Sequence, residues 1–206
     1  GNDLVSRTLA AALSKNTGQS VVVDNRPGAT TIIGMEIVAK APADGYTLLV
    51  SSNVLWILTL MQPAPYDAVR DFAPITITNM SPTILVVHPS VPAKSVRDLI
   101  AIAKAHPGGL VVPSAGAGST SHLAAELFQS MTGTKVLHVP YKGGGQMVIA
   151  VISGEGQVMF SPVSTAVPHG RTGKLRILGV SSAQRIAALP EVPTIGETVK
   201  GYEYGG

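Results

Sequence analysis

The nine residues Ser114-Ala115-Gly116-Ala117-Gly118-Ser119-Thr120-Ser121-His122 hold the densest set of groups able to do chemistry. Before them runs Leu110-Val111-Val112, which reads as a buried strand. After them Leu123, Ala124, Leu127, Phe128 and Met131 share one face of a helical pattern. Two glycines and three consecutive hydroxyls therefore lie where a strand turns into a helix. The first N–H groups of a helix have no partner inside it, and that end carries partial positive charge. Together they form a seat for an anion. The competing reading is a plain glycine-rich turn. Three hydroxyls exceed what an N-cap needs, which favours the seat.

Other motifs are weaker. Gly116-x-Gly118 lacks the third glycine and the later acid of a dinucleotide fingerprint, and no lysine follows Gly118 as a P-loop requires. Lys142 is either a cation for an acidic ligand or a solvated turn residue. The five histidines, His88, His106, His122, His138 and His169, never fall three to five residues apart, which argues against a histidine metal site. His122 either faces a cleft from the first turn of its helix or caps and packs. No GxSxG elbow occurs, and the carboxylates are dispersed, with no pair spaced for acid–base work. This pattern favours binding over catalysis.

The elements that must position these groups alternate. A helix is expected over 4–13, ending near Gly18 with Asp3 as its N-cap, then a strand at 20–24 and the turn Asn25-Arg26-Pro27-Gly28. A helix at 34–40, a strand at 47–50 and a helix at 55–60 follow. Two β-type runs, 75–78 and 84–87, break the alternation and mark the expected domain crossing, with Pro89 and Pro92 beyond them. Ser95-Val96-Arg97-Asp98 has the spacing of a helix start. Strands at 110–112, 136–139, 158–160 and 175–180 then alternate with helices, including a short one at 163–167, before a proline-braced loop at 189–193 and a short helix at 195–199. Such alternation predicts a parallel or mostly parallel sheet covered on both faces. Ligands of open α/β sheets lie beyond the carboxyl ends of strands. Four polar loops take that position: Gly1-Asn2-Asp3, Ser51-Ser52-Asn53, residues 116–120 and residues 141–145. Two belong to each half, the layout of two lobes across a cleft.

Composition narrows the classes. The chain has 206 residues, 45% hydrophobic and 13% charged, with net charge +3 from scattered basic residues. Neither a basic cluster nor an aromatic ladder offers a nucleic-acid platform. The longest apolar run, 54–61, is too short to span a bilayer. Without cysteine there are no disulfides, thiol nucleophiles or cysteine metal sites. No signal-peptide pattern is present, and the sequence is expected to be a piece of a longer mature chain.

The runs VVVDNRPGA (21–29), ADGYTLLVSSN (43–53), PYDAVRDFAPIT (65–76), VVHPSVPAKSVRDLIA (86–101), SAGAGSTSHLAAELF (114–128), HVPYKGGG (138–145), GKLRILGVSSAQR (173–185) and LPEVPTIGE (189–197) resemble, in order, the Bug or TctC-type extracytoplasmic solute receptors of the tripartite tricarboxylate transporter family. The resemblance implies an α/β, type II periplasmic-binding-protein fold. Its two lobes surround a hinge and ligand cleft, with the first lobe incomplete in this chain. On that reading residues 1–86 form the first lobe, 87–200 the second, and 201–206 the start of a hinge return strand. It implies a periplasmic receptor, monomeric, without cofactor or catalysis, that captures a small carboxylate and delivers it to membrane transporter subunits. Binding would rely on main-chain amides, hydroxyls and waters.

The expected ligand-binding residues are Asn2, Ser51, Ser52 and Asn53 from the first lobe and Ala115, Gly116, Gly118, Ser119 and Thr120 from the second. Lys142, Gly143 and Ser161 lie farther out. Ser161-Pro162 stands where many members carry an aspartate after the 158–160 strand, which points to a ligand without an amine. The rival classes are the effector domain of a LysR-type regulator, which shares the fold and would need a DNA-binding helix-turn-helix upstream, and a hydrolase.

Overall fold

The computed structural model describes residues 2–26, 28, 31–78 and 82–205. Gly1 and Pro27, part of the first polar loop and of the expected turn, lie outside them. The chain forms two compact units, Gly1–Asn79 and Met80–Gly206.

In the first unit, α1 (Asn2–Thr17), α2 (Ile32–Ala39) and α3 (Val54–Met61) form where the apolar periodicity places helices. Asp3 lies inside the first turn of α1 instead of capping it. Its carboxylate accepts from Arg7 Nε at 3.0 Å and Asn25 Nδ2 at 2.6 Å. An acid there complements the positive end of the helix, so Asp3 still favours a helix start. The core gathers Met35, Val54, Leu55, Leu58, Tyr66 and Ala68. Tyr66 donates its hydroxyl toward Met35 Sδ at 3.1 Å and Leu55 O at 3.3 Å, which satisfies a polar atom that burial would otherwise penalise.

The runs 20–24, 47–50 and 75–78 are β-type in composition but take part in no ladder among the described residues. Val22, Leu48, Ile75 and Ile77 are exposed. Strand preference reflects fit to a pleated, half-buried surface, and a run with no neighbour to pair with stays extended without becoming part of a sheet.

The second unit holds β1 (Thr83–Val87), α4 (Val96–Ala105), β2 (Val111–Ser114), α5 (Thr120–Thr132), β3 (Leu137–Pro140), α6 (Gly144–Ile152), β4 (Val158–Pro162), α7 (Val163–Arg171) and β5 (Arg176–Val180). A three-ten turn, Ile195–Glu197, follows. The strand at 84–87, expected to end the first lobe, belongs to this unit: β1 lies between β4 and β5, antiparallel to both. This corrects the expectation of a mostly parallel sheet. A helical crossover forces neighbouring strands to run parallel, but β1 enters from the other unit with no such crossover, so nothing in its connection fixes that direction. The expectation does hold for β2 and β3, which pair in parallel from Val111↔Leu137 to Ser114↔Pro140.

β2 also lies beside β4, where Gln157 N donates to Val111 O at 2.9 Å and Val111 N donates to Gln157 Oε1 at 2.7 Å. A Cβ on Gly156 would overlap the Pro113 ring, so glycine there lets the two strands approach. One face of the sheet packs Leu85, Val87, Val158 and Phe160 under α4 and α5. The other packs Ile84, Val86 and Met159 under α6 and α7. Ser95 caps α4, accepting from Asp98 N at 3.1 Å, while the Asp98 carboxylate accepts from Lys94 N at 2.9 Å. The Lys94 amide first, and then a hydrogen bond from the Ser95 side chain, hold Asp98 below the usual carboxylate range.

Candidate functional site

The carboxyl ends of β2, β3 and β4 lead directly into α5, α6 and α7, so three helix N-termini gather at one edge of the second unit. Because β1 is antiparallel, its first residue, Thr83, lies at the same edge opposite Pro162.

The corner between β2 and α5 is the expected seat. Gly116 and Gly118 have φ of +128° and +74°, conformations that residues with a Cβ adopt only with strain, and they bring the chain round within five residues. Ser119 (φ −65°, ψ 160°) is the N-cap of α5, accepting from His122 N at 3.4 Å. Ser121 turns back and accepts from Ala115 N at 3.0 Å. Ser114 Oγ donates to Gly116 O at 3.1 Å and accepts from Gly116 N at 3.2 Å. Gly118 N donates to His122 Nδ1 at 2.9 Å, and Ser119 N to Gly116 O at 3.1 Å.

Much of the corner's hydrogen-bonding capacity is thus used internally. The amides of Ala117, Thr120 and Ser121 donate to no protein acceptor among the described residues, and neither does the Thr120 hydroxyl. Of the three hydroxyls in the run, Ser119 and Ser121 build the turn and only Thr120 is left over. This divides labour that the sequence alone presents as one group.

The corner between β3 and α6 adjoins it: Tyr141 N donates to Ser114 O at 2.9 Å. Gly143 is the N-cap of α6 with φ +112° and no side-chain cap. The amides of Gly144, Gly145 and Gln146 also lack a protein acceptor among the described residues. A Cβ on Gly144 or Gly145 would meet nothing within 4 Å. Lys142 is exposed, and its backbone N–H donates to Gln146 Oε1 at 3.3 Å. Ser161, on the strand next to β2, is fully buried, with its hydroxyl donating to Pro162 O at 3.4 Å.

The structure therefore brings Ala115, Gly116, Gly118, Ser119, Thr120, Gly143 and Ser161 to one edge, with Lys142 at its margin. The first-unit candidates sit at helix starts of their own unit. Asn2 is the first residue of α1. Asn53 precedes α3, its carbonyl accepting from Trp56 N and Ile57 N at 3.1 Å, and Ser51 Oγ donates to Ser52 O at 3.3 Å.

His138 was not among the expected site residues. Its ring stacks on that of His122, with centroids 4.0 Å apart and planes 19° from parallel. His138 Nε2 lies 2.6 Å from Ser114 Oγ, while His122 Nε2 faces Glu126 Oε1 at 3.5 Å. The two histidines come from α5 and β3, sixteen residues apart, so no local spacing announces them. Ser114 and His138 have the contact of a nucleophile and its base. Ser114 is fully buried, however, and its hydroxyl already serves both polar groups of Gly116, which leaves no approach for a substrate carbon. The pair supports the corner.

Burial, and after it the charge of a protonated His122, holds His138 below the ordinary imidazole value of 6.5, with Glu126 acting the other way. The fold thus favours neutral His138. Its contribution to stability is complete above about pH 6.5 and is lost as pH falls from there through the lowered folded value. Thermal unfolding between about pH 7 and about pH 5 should show a steeper fall in Tm for the native chain than for His138→Gln; parallel curves would remove this contribution.

A family model described as the tripartite tricarboxylate transporter family receptor matches residues 5–205. Protein BugT of Bordetella pertussis is 38% identical over 198 residues, which are 95% of this chain and 61% of that protein, so the chain spans about three fifths of this relative. The solved structure of R. palustris Rpa4515 with adipate is 36% identical with a TM-score of 0.91, covering 98% of this chain and 69% of that one. MatC from Rhodopseudomonas palustris, solved with bound malate, is 27% identical with a TM-score of 0.88, covering 100% and 71%. With the fold matched along nearly its whole length at these identities, the chain has the periplasmic-binding-protein architecture and belongs to the tripartite tricarboxylate transporter receptor family.

Proposed function

We propose that this chain is the greater part of a periplasmic solute-binding receptor that captures a small dicarboxylate and passes it, as a monomer and without catalysis, to membrane subunits of a tripartite tricarboxylate-type transporter. The observation that carries this reading is the pair of adjacent helix starts, at Thr120 and Gly144, whose first amides have no protein acceptor among the described residues. Amides at a helix start favour a negative partner. Each hydrogen bond to a charged group contributes about 1.5–3 kcal/mol. Four of them contribute about 6–12 kcal/mol, a range that brackets the roughly 8 kcal/mol of micromolar affinity. The relatives solved with adipate and with malate hold dicarboxylates, and two neighbouring helix starts suit a ligand of that charge. Ser161 in place of a carboxylate adds no negative group to the edge, in keeping with a ligand that carries no ammonium. Asn2, Ser51, Ser52 and Asn53 are the proposed contacts of the first unit.

The test is a thermal-shift screen of the full-length protein against mono-, di- and tricarboxylates, with the corresponding neutral amides as controls. At about a hundredfold excess over Kd, a true ligand stabilises by about 2.7 kcal/mol, a readily measured rise in Tm. A rise confined to carboxylates, strongest among dicarboxylates, is expected. No rise with any of them, or an equal rise with the amides, refutes the reading.

A further inference from the structure

We infer that the stacked imidazoles of His122 and His138 are positioning residues that hold the 114–122 corner in its ligand-ready shape, and that carboxylate capture requires both rings to be neutral. This rests on the receptor reading above and adds to it the residues that act behind the seat.

The bond from Gly118 fixes the proton on His122. Gly118 N–H donates to His122 Nδ1 at 2.9 Å, so that nitrogen is bare and Nε2, facing Glu126, carries the hydrogen. His122 is thus bonded as the neutral Nε2–H tautomer. Ser114 Oγ accepts from Gly116 N at 3.2 Å and lies 3.1 Å from Gly116 O. His138 Nε2 lies 2.6 Å from the same Oγ, and a neutral ring can bond it either as an N–H donor or, with the hydroxyl turned toward it, as an acceptor. Each ring holds one limb of the corner: His138 works through Ser114 on Gly116, and His122 works directly on Gly118.

A second proton disturbs this arrangement. Placed on His122 Nδ1, it opposes the Gly118 N–H, and that peptide must turn. Gly118 stands two residues before Thr120, so its rotation carries the start of α5 with it. Placed on His138, the proton puts a half-buried charge on a ring whose centroid is 4.0 Å from that of its neighbour, and a second charge on the neighbouring ring is opposed by the first. Among the described residues, the titratable groups against the pair are the rings themselves and Glu126 of α5. β2 contributes only the uncharged Ser114 hydroxyl, and the corner only its amides. One carboxylate, 3.5 Å away and exposed, is screened by water and can offset one added charge in part. An added positive charge would also attract the ligand, so the sign of the pH effect separates positioning from plain electrostatics.

The experiment compares the full-length protein with the double variant His122→Asn, His138→Gln, whose amide oxygen and amide nitrogen can replace the two hydrogen bonds without titrating. Dicarboxylate affinity is measured by calorimetry from about pH 7.5 to about pH 5, where imidazoles titrate. Both proteins share the ligand's own titration. The affinity of the native protein should fall at least about fivefold relative to the double variant over that range. A constant ratio, or native binding that tightens relative to the variant on acidification, overturns the inference. In parallel, the Gly118 amide resonance of the ligand-free protein should shift with the imidazole titration in the native protein and stay flat in the variant. Should no dicarboxylate bind at any pH, the receptor reading fails on its own, and an unmoved Gly118 resonance independently overturns the positioning role.

Discussion

Replacing Phe160 with alanine should cost about 3–5 kcal/mol of stability, the range for truncating a buried aromatic side chain, and should loosen α5 more than any other helix. Phe160 is almost fully buried in β4. Its ring lies 5.9 Å from Phe128 on α5 and 6.3 Å from Tyr202 in the C-terminal segment, while Phe128 and Tyr202 close the triangle at 6.2 Å. Tyr202 adds a direct tie, donating its hydroxyl to Ala124 O in α5 at 2.9 Å; burial raises this phenol well above its ordinary pKa. Three rings from a strand, a helix and a distant segment thus fix the helix whose first turn forms the candidate seat. Alanine at 160 leaves a cavity between β4 and α5 that rigid neighbours close only in part. Denaturant unfolding measures the loss, and amide exchange along 120–132 shows where it falls. A cost below about 1 kcal/mol would mean that the aromatic triangle is not what secures α5.

Helix starts and strand-to-helix corners were legible in the sequence because their signals are local. Ser95 and Asp98 are three residues apart, and the cap they announce forms. The turn from β2 into α5 is announced by Gly116, Gly118 and the hydroxyls after them. Partners and directions were less legible. The residues of β1, Thr-Ile-Leu-Val-Val, are buried on both faces and read alike whichever way the neighbouring strands run. Its antiparallel placement is therefore visible only in the pairing. The runs at 20–24 and 75–78 have strand composition, but composition does not supply a partner. At the candidate site the gap is of another kind. Ser119, Thr120 and Ser121 are chemically near-equivalent, and only their φ and ψ on the turn decide that two of them face the protein. The His122–His138 stack depends on the parallel register of β2 with β3 and on the rotation of α5 over that pair, neither of which short-range spacing encodes.

Thr120→Pro should weaken dicarboxylate binding by about tenfold to a hundredfold while leaving the ligand-free fold nearly as stable as before. Thr120 is the first residue of α5, the position at which proline is well tolerated, because its N–H has no acceptor within the helix and its fixed φ suits the helical turn. The residue before a proline is confined to extended backbone, and Ser119 already has φ −65° and ψ 160°. The bonds that build the corner survive the change: Ser119 Oγ still accepts from His122 N, and Ser119 O still accepts from Leu123 N at 2.9 Å. What disappears is one amide hydrogen and one hydroxyl, both without a protein acceptor among the described residues. Losing one hydrogen bond to a charged group costs about 1.5–3 kcal/mol, and each 1.4 kcal/mol is about tenfold in Kd, so the expected range is that of the amide bond alone and is exceeded where the ligand also meets the hydroxyl. Thr120→Val keeps the amide and loses the hydroxyl, so the two variants together apportion the loss. Proline at 120 acting only through the fold would lower the ligand-free Tm as well, and calorimetry at a temperature far below that Tm separates the cases. Wild-type affinity in Thr120→Pro would show that the ligand does not meet α5 at its first turn, and the assignment of the seat would have to move to Gly144 and its neighbours.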